Sequence, residues 1–311
     1  MLRKTLGWAG RSVGYLLYAI GLIALLLWLL FPQEAVRRYL EASLSRVSPN
    51  LRWHIEAVAL EIPDGLVLQV VEGYEKGEGK IPLVRINSLT LRPNVADSLQ
   101  AGRLQVGYRM TAGKGSVAGV VRMIDRQKEL HVEGAAQNFR LTDFPLLGRQ
   151  LGRTLQGSVS GIFSGTIVPA KGEMAELEAK LQVENGRLGL KRPILGHTEL
   201  PFSQGTFTLH GHGEKLELEQ GRVESELFEG QFSGTITMHR EPALSQLDVK
   251  GTMQPKTKFF KGLDNTVALQ AFRVQLKDNA LPFRISGDLS NPGIHFEEYS
   301  MLVQTLEKEL K

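Results

Sequence analysis

Hydrophobic and polar residues change their spacing twice along this chain, and each change predicts a different element. Residues 12–31, "SVGYLLYAIGLIALLLWLLF", run without a charge. A helix rising ~1.5 Å per residue covers ~30 Å over such a run, the depth of a bilayer's hydrocarbon core. Trp8 and Tyr15 near its start and Trp28 and Phe31 near its end suit the two interfaces. The pattern predicts a single transmembrane helix over 12–31. After Pro32, Val36, Leu40, Leu44 and Val47 recur at helical spacing among Arg37, Arg38, Glu41 and Arg46. Two placements fit this short amphipathic helix over 32–50: flat beside the membrane, or capping a β-sheet.

From Leu51 the period falls to two. Leu51, Trp53 and Ile55 alternate with Arg52, His54 and Glu56, and Val84 and Ile86 repeat the pattern. The clearest case sets Leu177, Ala179, Leu181 and Val183 against Glu178, Lys180, Gln182 and Glu184. Such alternation predicts strands with one apolar and one wet face, and hence antiparallel pairing. Asn185-Gly186 and Gln220-Gly221 read as hairpin turns between strands. Residues 141–152 break the pattern as a short helix or crossing loop, and Tyr299, Leu302, Leu306 and Leu310 space like a terminal helix. The expected fold is mainly β: one N-terminal transmembrane helix, then an elongated, curved antiparallel β-sheet with few short helices. The expected organisation is a cytoplasmic tail over 1–11, the spanning helix over 12–31, the amphipathic helix over 32–50, a β-rich domain over 51–296 and a terminal helix over 297–311. The β-rich domain divides into two similar sections, 51–150 and 151–296.

The pentapeptide Phe-Ser-Gly-Thr-Ile begins at Phe163 and again at Phe232. In each copy the Phe, Gly and Ile share one face, opposite Ser and Thr. Equivalent strands in two similar sheet sections account for the repeat, with chance likeness of two strands as the alternative. A glycine on the apolar face leaves a gap or a bend.

Charge orients the chain. Arg3, Lys4 and Arg11 precede the apolar run with no acid among them, which places the N-terminus in the cytoplasm and the bulk in the periplasm of a bacterium. A cleaved signal peptide is the other reading, but its apolar region is usually ~7–15 residues and ends at a small-residue site; this run is longer and ends in Phe31-Pro32-Gln33. The expected location is therefore the inner membrane, single-pass. No cysteine is present, so disulfides and a lipoprotein anchor are excluded. Setting the three leading cations aside, acids and bases nearly balance, without the Lys/Arg run of a nucleic-acid binder.

Candidate chemistry is sparse. His210 and His212 fall on one strand face, half of a possible metal site, with Glu214 nearby, but nothing in sequence supplies the other half. "AGKGSVAG" over 112–119 lacks phosphate-loop spacing and reads as a turn. "GSVSG" over 157–161 does not have the spacing of a nucleophile elbow. The expectation is a non-enzyme with no catalytic, cofactor-binding or metal-binding residue.

Several segments in order resemble one family. "LLFPQEAVRRYLEASLSR", "LEAKLQVENGRLGL", "LPFSQGTFTLHGHGEKLELEQGRVESELFEGQFSGTITM", "LSQLDVKGTM" and "FRISGDLSNPGIHF" are similar to the type II secretion system protein N family in its short bitopic form. The last segment also resembles strand ends of AsmA-like proteins, elongated curved sheets facing the periplasm. The first resemblance implies an accessory inner-membrane component of the machine that exports folded proteins, with other secretion components as partners. The second implies an alternative: a lipid-binding or lipid-transfer protein of the envelope.

Overall fold

A computed structural model describes residues 29–301 except 49, 62–64, 78–80, 125–128, 170–172, 240, 261–269, 271–279 and 297–298, with Tyr15, Tyr18, Ala19, Gly21, Leu22 and Leu26. Helix α1 (Gln33–Val47) leads into fourteen strands: β1 (Leu51–Glu61), β2 (Gly65–Glu75), β3 (Val84–Pro93), β4 (Gln105–Ala112), β5 (Gly115–Ile124), β6 (Glu129–Arg140), β7 (Leu155–Val168), β8 (Glu173–Ile194), β9 (His197–His212), β10 (Lys215–Glu224), β11 (Phe228–Thr237), β12 (Gln246–Pro255), β13 (Leu281–Asp288) and β14 (Asn291–His295). Helix α2 (Val95–Ala101) joins β3 to β4, and α3 (Pro145–Leu151) joins β6 to β7.

All fourteen strands belong to one sheet in sequence order, and every neighbouring pair is antiparallel. Among the described strands none crosses over another. The boundary expected at 150/151 falls in the connection between β6 and β7, which pair directly, so the sheet runs through it. The 112–119 segment forms the β4–β5 hairpin, where Ala112 opposes Gly115 and Gly113 takes φ +55°.

Two expected turns are not turns. Strand β8 passes straight through Asn185-Gly186, and β10 passes through Gln220-Gly221. Asn185 does take positive φ (+50°), as its residue type allows, but as an irregularity within a long strand. At Gln220-Gly221 the register with both neighbours slips by a residue, the mark of a bulge. The real β8–β9 turn is Leu195-Gly196, both at positive φ, with Ile194 opposing His197. Leucine rarely takes that conformation. Here its side chain is buried in the C-terminal core, which holds it there.

Burial is concentrated at the two ends of the sheet. At the N-terminal end, Ile55, Val58, Leu68 and Val71 pack beneath Phe31, Val36, Leu40 and Leu44, so α1 caps the sheet with its apolar stripe. At the other end, Phe228, Met253, Phe259, Phe260, Leu281, Phe296 and Tyr299 close a second core. Phe259 stacks edge-on to both Phe228 and Phe260.

Register explains the repeated pentapeptide. Phe163 stands opposite Gly134 of β6, and Phe232 opposite Gly221 of β10 and Gly251 of β12. Trp53 opposes Gly73, Tyr108 opposes Gly119, Phe202 opposes Gly186 and Phe283 opposes Gly251. The glycine leaves the space that the ring occupies: a Cβ at Gly221 would stand 2.5 Å from Phe232 Cε2, and one at Gly134 2.7 Å from Phe163 Cζ. Aromatic rings laid over cross-strand glycines recur along the whole sheet, and the two copies of Phe-Ser-Gly-Thr-Ile are two instances. The pentapeptide glycines play a second part. Gly165 opposes Leu177 and Gly234 opposes Val249, where the next strand's backbone crowds the apolar side.

Among the described residues no helix is long and apolar enough to cross a membrane. Most of the expected spanning run, 12–31, lies outside those residues, as do 1–11 and most of the terminal helix expected over 297–311. The described positions Tyr15, Tyr18, Ala19, Gly21, Leu22, Leu26 and Leu29 are helical and exposed.

Candidate functional site

Between the two cores, Phe144 of the β6–β7 connection stacks on Phe139 at 4.3 Å, and the rest of the apolar face over β3 to β7 is only half-buried. In strands β3 to β7 only Ala112 and Gly115 are fully buried. Alternation and register set successive rows of apolar residues across this stretch. One row runs Leu91, Tyr108, Gly119, Gly134, Phe163, Ala179; the next runs Pro93, Val106, Val121, Val132, Gly165, Leu177. These side chains bury one another only in part. Tyr108 shows how the surface is made: its ring lies across the face, its hydroxyl donates to the Glu133 carbonyl at 3.2 Å, and burial pushes its pKa up. A contiguous apolar strip of this kind, left open between two capped ends, is the surface of the molecule best suited to receive another hydrophobic body.

The sheet's edges are less inviting. Strand β1 is one edge, and the Ile55 N–H that would face a newcomer is taken by Glu41 Oε1 at 2.9 Å, delivered by α1. Strand β14 is the other; it has five residues, and Pro292 offers no N–H. Short strands, prolines and covering helices are the devices by which sheets resist strand addition.

On the polar face, titratable groups gather across β5 to β7. Arg122 donates to Glu133 Oε1 at 2.5 Å, His131 Nε2 lies 3.1 Å from the same oxygen, and His131 Nδ1 lies 3.2 Å from Thr166 Oγ1. The Arg122 hydrogen bond, with help from His131, holds the Glu133 carboxyl below the usual range. Ser164 Oγ is 3.5 Å from His131 Nε2. Serine, histidine and carboxylate are thus neighbours, but Ser164 and Glu133 address the same ring nitrogen. A nucleophile's base must take the serine proton on one nitrogen while the acid orients the ring through the other, so this set is not a catalytic relay.

The remaining sequence candidates are dispersed. His210 and His212 share the wet face of β9, where His210 Nε2 meets Glu219 Oε2 at 3.0 Å. Among the described residues no three His, Asp or Glu side chains converge as a metal site. The 157–161 segment is extended within β7. Sequence reasoning did not find the Arg122–Glu133–His131 cluster. His131 and Glu133 share a strand face by simple alternation, but Arg122 joins them only through the β5–β6 register. Comparison with known protein families, curated proteins and solved structures finds no match.

Proposed function

We propose that this chain is an accessory component of the type II protein secretion system, anchored in the bacterial inner membrane by residues 12–31 and presenting its sheet as a periplasmic scaffold. The observation that carries the scaffold role is the open apolar face of β3 to β7, bounded by a helix-capped core at one end and an aromatic core at the other. The ordered sequence resemblance supports the link to secretion. The described positions Tyr15, Tyr18, Ala19, Gly21, Leu22, Leu26 and Leu29, helical and exposed, support the anchor, because exposed apolar side chains on a helix suit lipid. Docking through the face is favoured over strand addition because both edges are blunted.

A second reading, lipid binding or transfer, is favoured by one specific feature. Aliphatic and aromatic residues continue strand after strand across the open face without an interrupting charge in the two rows named above, a surface on which acyl chains can lie. Site-specific photocrosslinking in living cells separates the two. A crosslinker at Val121 or Leu91 on the open face should capture secretion components, while one at Thr90 on the wet face should not. Phospholipid adducts from Val121 instead of protein would establish the second reading. Equal, weak capture from both faces would remove both.

A further inference from the structure

We propose that Arg103, Gln105 and Arg122 form a binding site for a phosphate group on the wet face of the sheet. An open cavity of about 380 Å³ is lined by Ala101, Arg103, Gln105, Arg122, Ile124 and His131. Its floor is set by register: Gln105 opposes Arg122, and Arg122 opposes His131, so the three side chains stand in one row across β4, β5 and β6. Its wall is the connection from α2 into β4, which carries Arg103. That connection is pinned. Gly102 closes α2 with φ +61°, Arg103 N donates to the Ser98 carbonyl at 3.1 Å, and Gln105 N donates to Ser98 Oγ at 2.9 Å. Met123 N donates to the Leu104 carbonyl at 3.0 Å, tying the connection to β5.

The cavity's charge selects the ligand. Two guanidinium groups line it, and the carboxylate of Glu133 engages one of them, Arg122. Among the described residues no carboxylate pairs with Arg103. A guanidinium has several N–H donors in a fixed fork and no acceptor, so a group that fits between two of them must bring acceptors only. A tetrahedral oxyanion meets Arg103 and Arg122 with separate oxygens and leaves a further oxygen for the Gln105 amide, while both His131 nitrogens stay engaged by Glu133 and Thr166. Ala101 and Ile124 supply apolar walls that limit competing water. Glu133 stays on Arg122 and on His131 Nε2, which keeps those side chains oriented but also sets a limit on affinity by repelling the anion. The phosphate could arrive free or on a lipid headgroup; the chemistry at the site is the same.

The test uses the full chain purified in detergent and titrated calorimetrically with inorganic phosphate at low salt. The site predicts saturable binding that weakens by about tenfold or more in Arg103→Gln, a side chain exposed enough to change without disturbing the fold. Arg109→Gln, exposed on the same face of β4, should leave binding unchanged. Parallel sedimentation compares phosphatidylcholine vesicles with and without phosphatidic acid, because the 12–31 run would hold the chain on either, and the difference in capture identifies the source. Capture added by phosphatidic acid, lost in Arg103→Gln and competed by free phosphate, supports a headgroup ligand; phosphate binding without that added capture supports a soluble phosphate compound. Absence of both, or phosphate binding and added capture indifferent to Arg103→Gln, overturns the proposal.

Discussion

The two copies of Phe-Ser-Gly-Thr-Ile allow one mutation to be made twice in different surroundings. A Cβ at Gly234 would overlap the Asp248 carbonyl oxygen and stand 2.6 Å from Val249 Cα, both backbone atoms of β12. At Gly165 it would stand 2.9 Å from the Glu176 carbonyl and 3.4 Å from Leu177 Cδ1, a flexible side-chain end. Gly→Ala reduces the freedom of the unfolded chain, worth about 0.4–1 kcal/mol in favour of folding. Against this, forcing atoms into a filled space costs about 1–3 kcal/mol, and the upper part of that range belongs where backbone must move. Gly234→Ala should therefore lose about 2 kcal/mol net. With an m-value of about 3 kcal/mol/M, that lowers the urea midpoint by roughly 0.7 M. Gly165→Ala should come within about 0.5 kcal/mol of wild type. Equilibrium urea unfolding followed by tryptophan fluorescence measures both. If Gly165→Ala proved the more damaging, the view that glycine here makes room for the neighbouring backbone would be refuted.

Further perturbations probe other parts of the account. Phe232→Ala removes a ring that covers Gly221 and Gly251 and packs on the C-terminal core; being half-buried, it should cost about 2–3 kcal/mol in the same assay, toward the low end of large core truncations. Glu41→Ala uncovers the Ile55 N–H on the edge strand, so light scattering should detect concentration-dependent self-association absent from wild type. Asp248, Glu229 and Glu226 have their carboxyls held below the ordinary range by Arg284, Lys256 and Lys258 respectively, and Glu133 by Arg122. A depressed folded-state pKa contributes stability above the ordinary carboxylate range and loses it as pH falls through the folded value. Thermal unfolding should therefore move to lower temperature below about pH 4.5. Asp248→Asn should flatten that dependence rather than steepen it.

Much of the fold was legible because period-two alternation survives locally: Leu177 to Val183 needs no partner to declare its faces. The helix over Gln33–Val47 was legible for the same reason at period 3.6, and contacts resolve its two placements in favour of capping the sheet, with Val36, Leu40 and Leu44 turned onto Ile55 and Val58. The hairpin readings at Asn185 and Gln220 failed because a positive φ or a bulge is the same local event whether the chain then reverses or continues. Only pairing with the next strand decides. Leu195-Gly196 gave no signal, since a buried leucine at positive φ is held by tertiary packing. Helix α2, "VADSLQA", is too short for its periodicity to stand out. The aromatic–glycine pairs and the cavity beside Arg122 depend on register between strands, which composition and spacing do not encode.

The central claim is that the apolar face of β3 to β7 lies open in the isolated protein and is covered in the envelope. The chain lacks cysteine, so Val121→Cys and Val58→Cys each introduce a single reporter. Maleimide should modify Val121→Cys rapidly in the purified protein and slowly in native membranes, while Val58→Cys, beneath α1, stays slow in both. If the Val121 position reacted as slowly as the Val58 position after purification, the face would already be covered by the protein itself, and the account would be wrong.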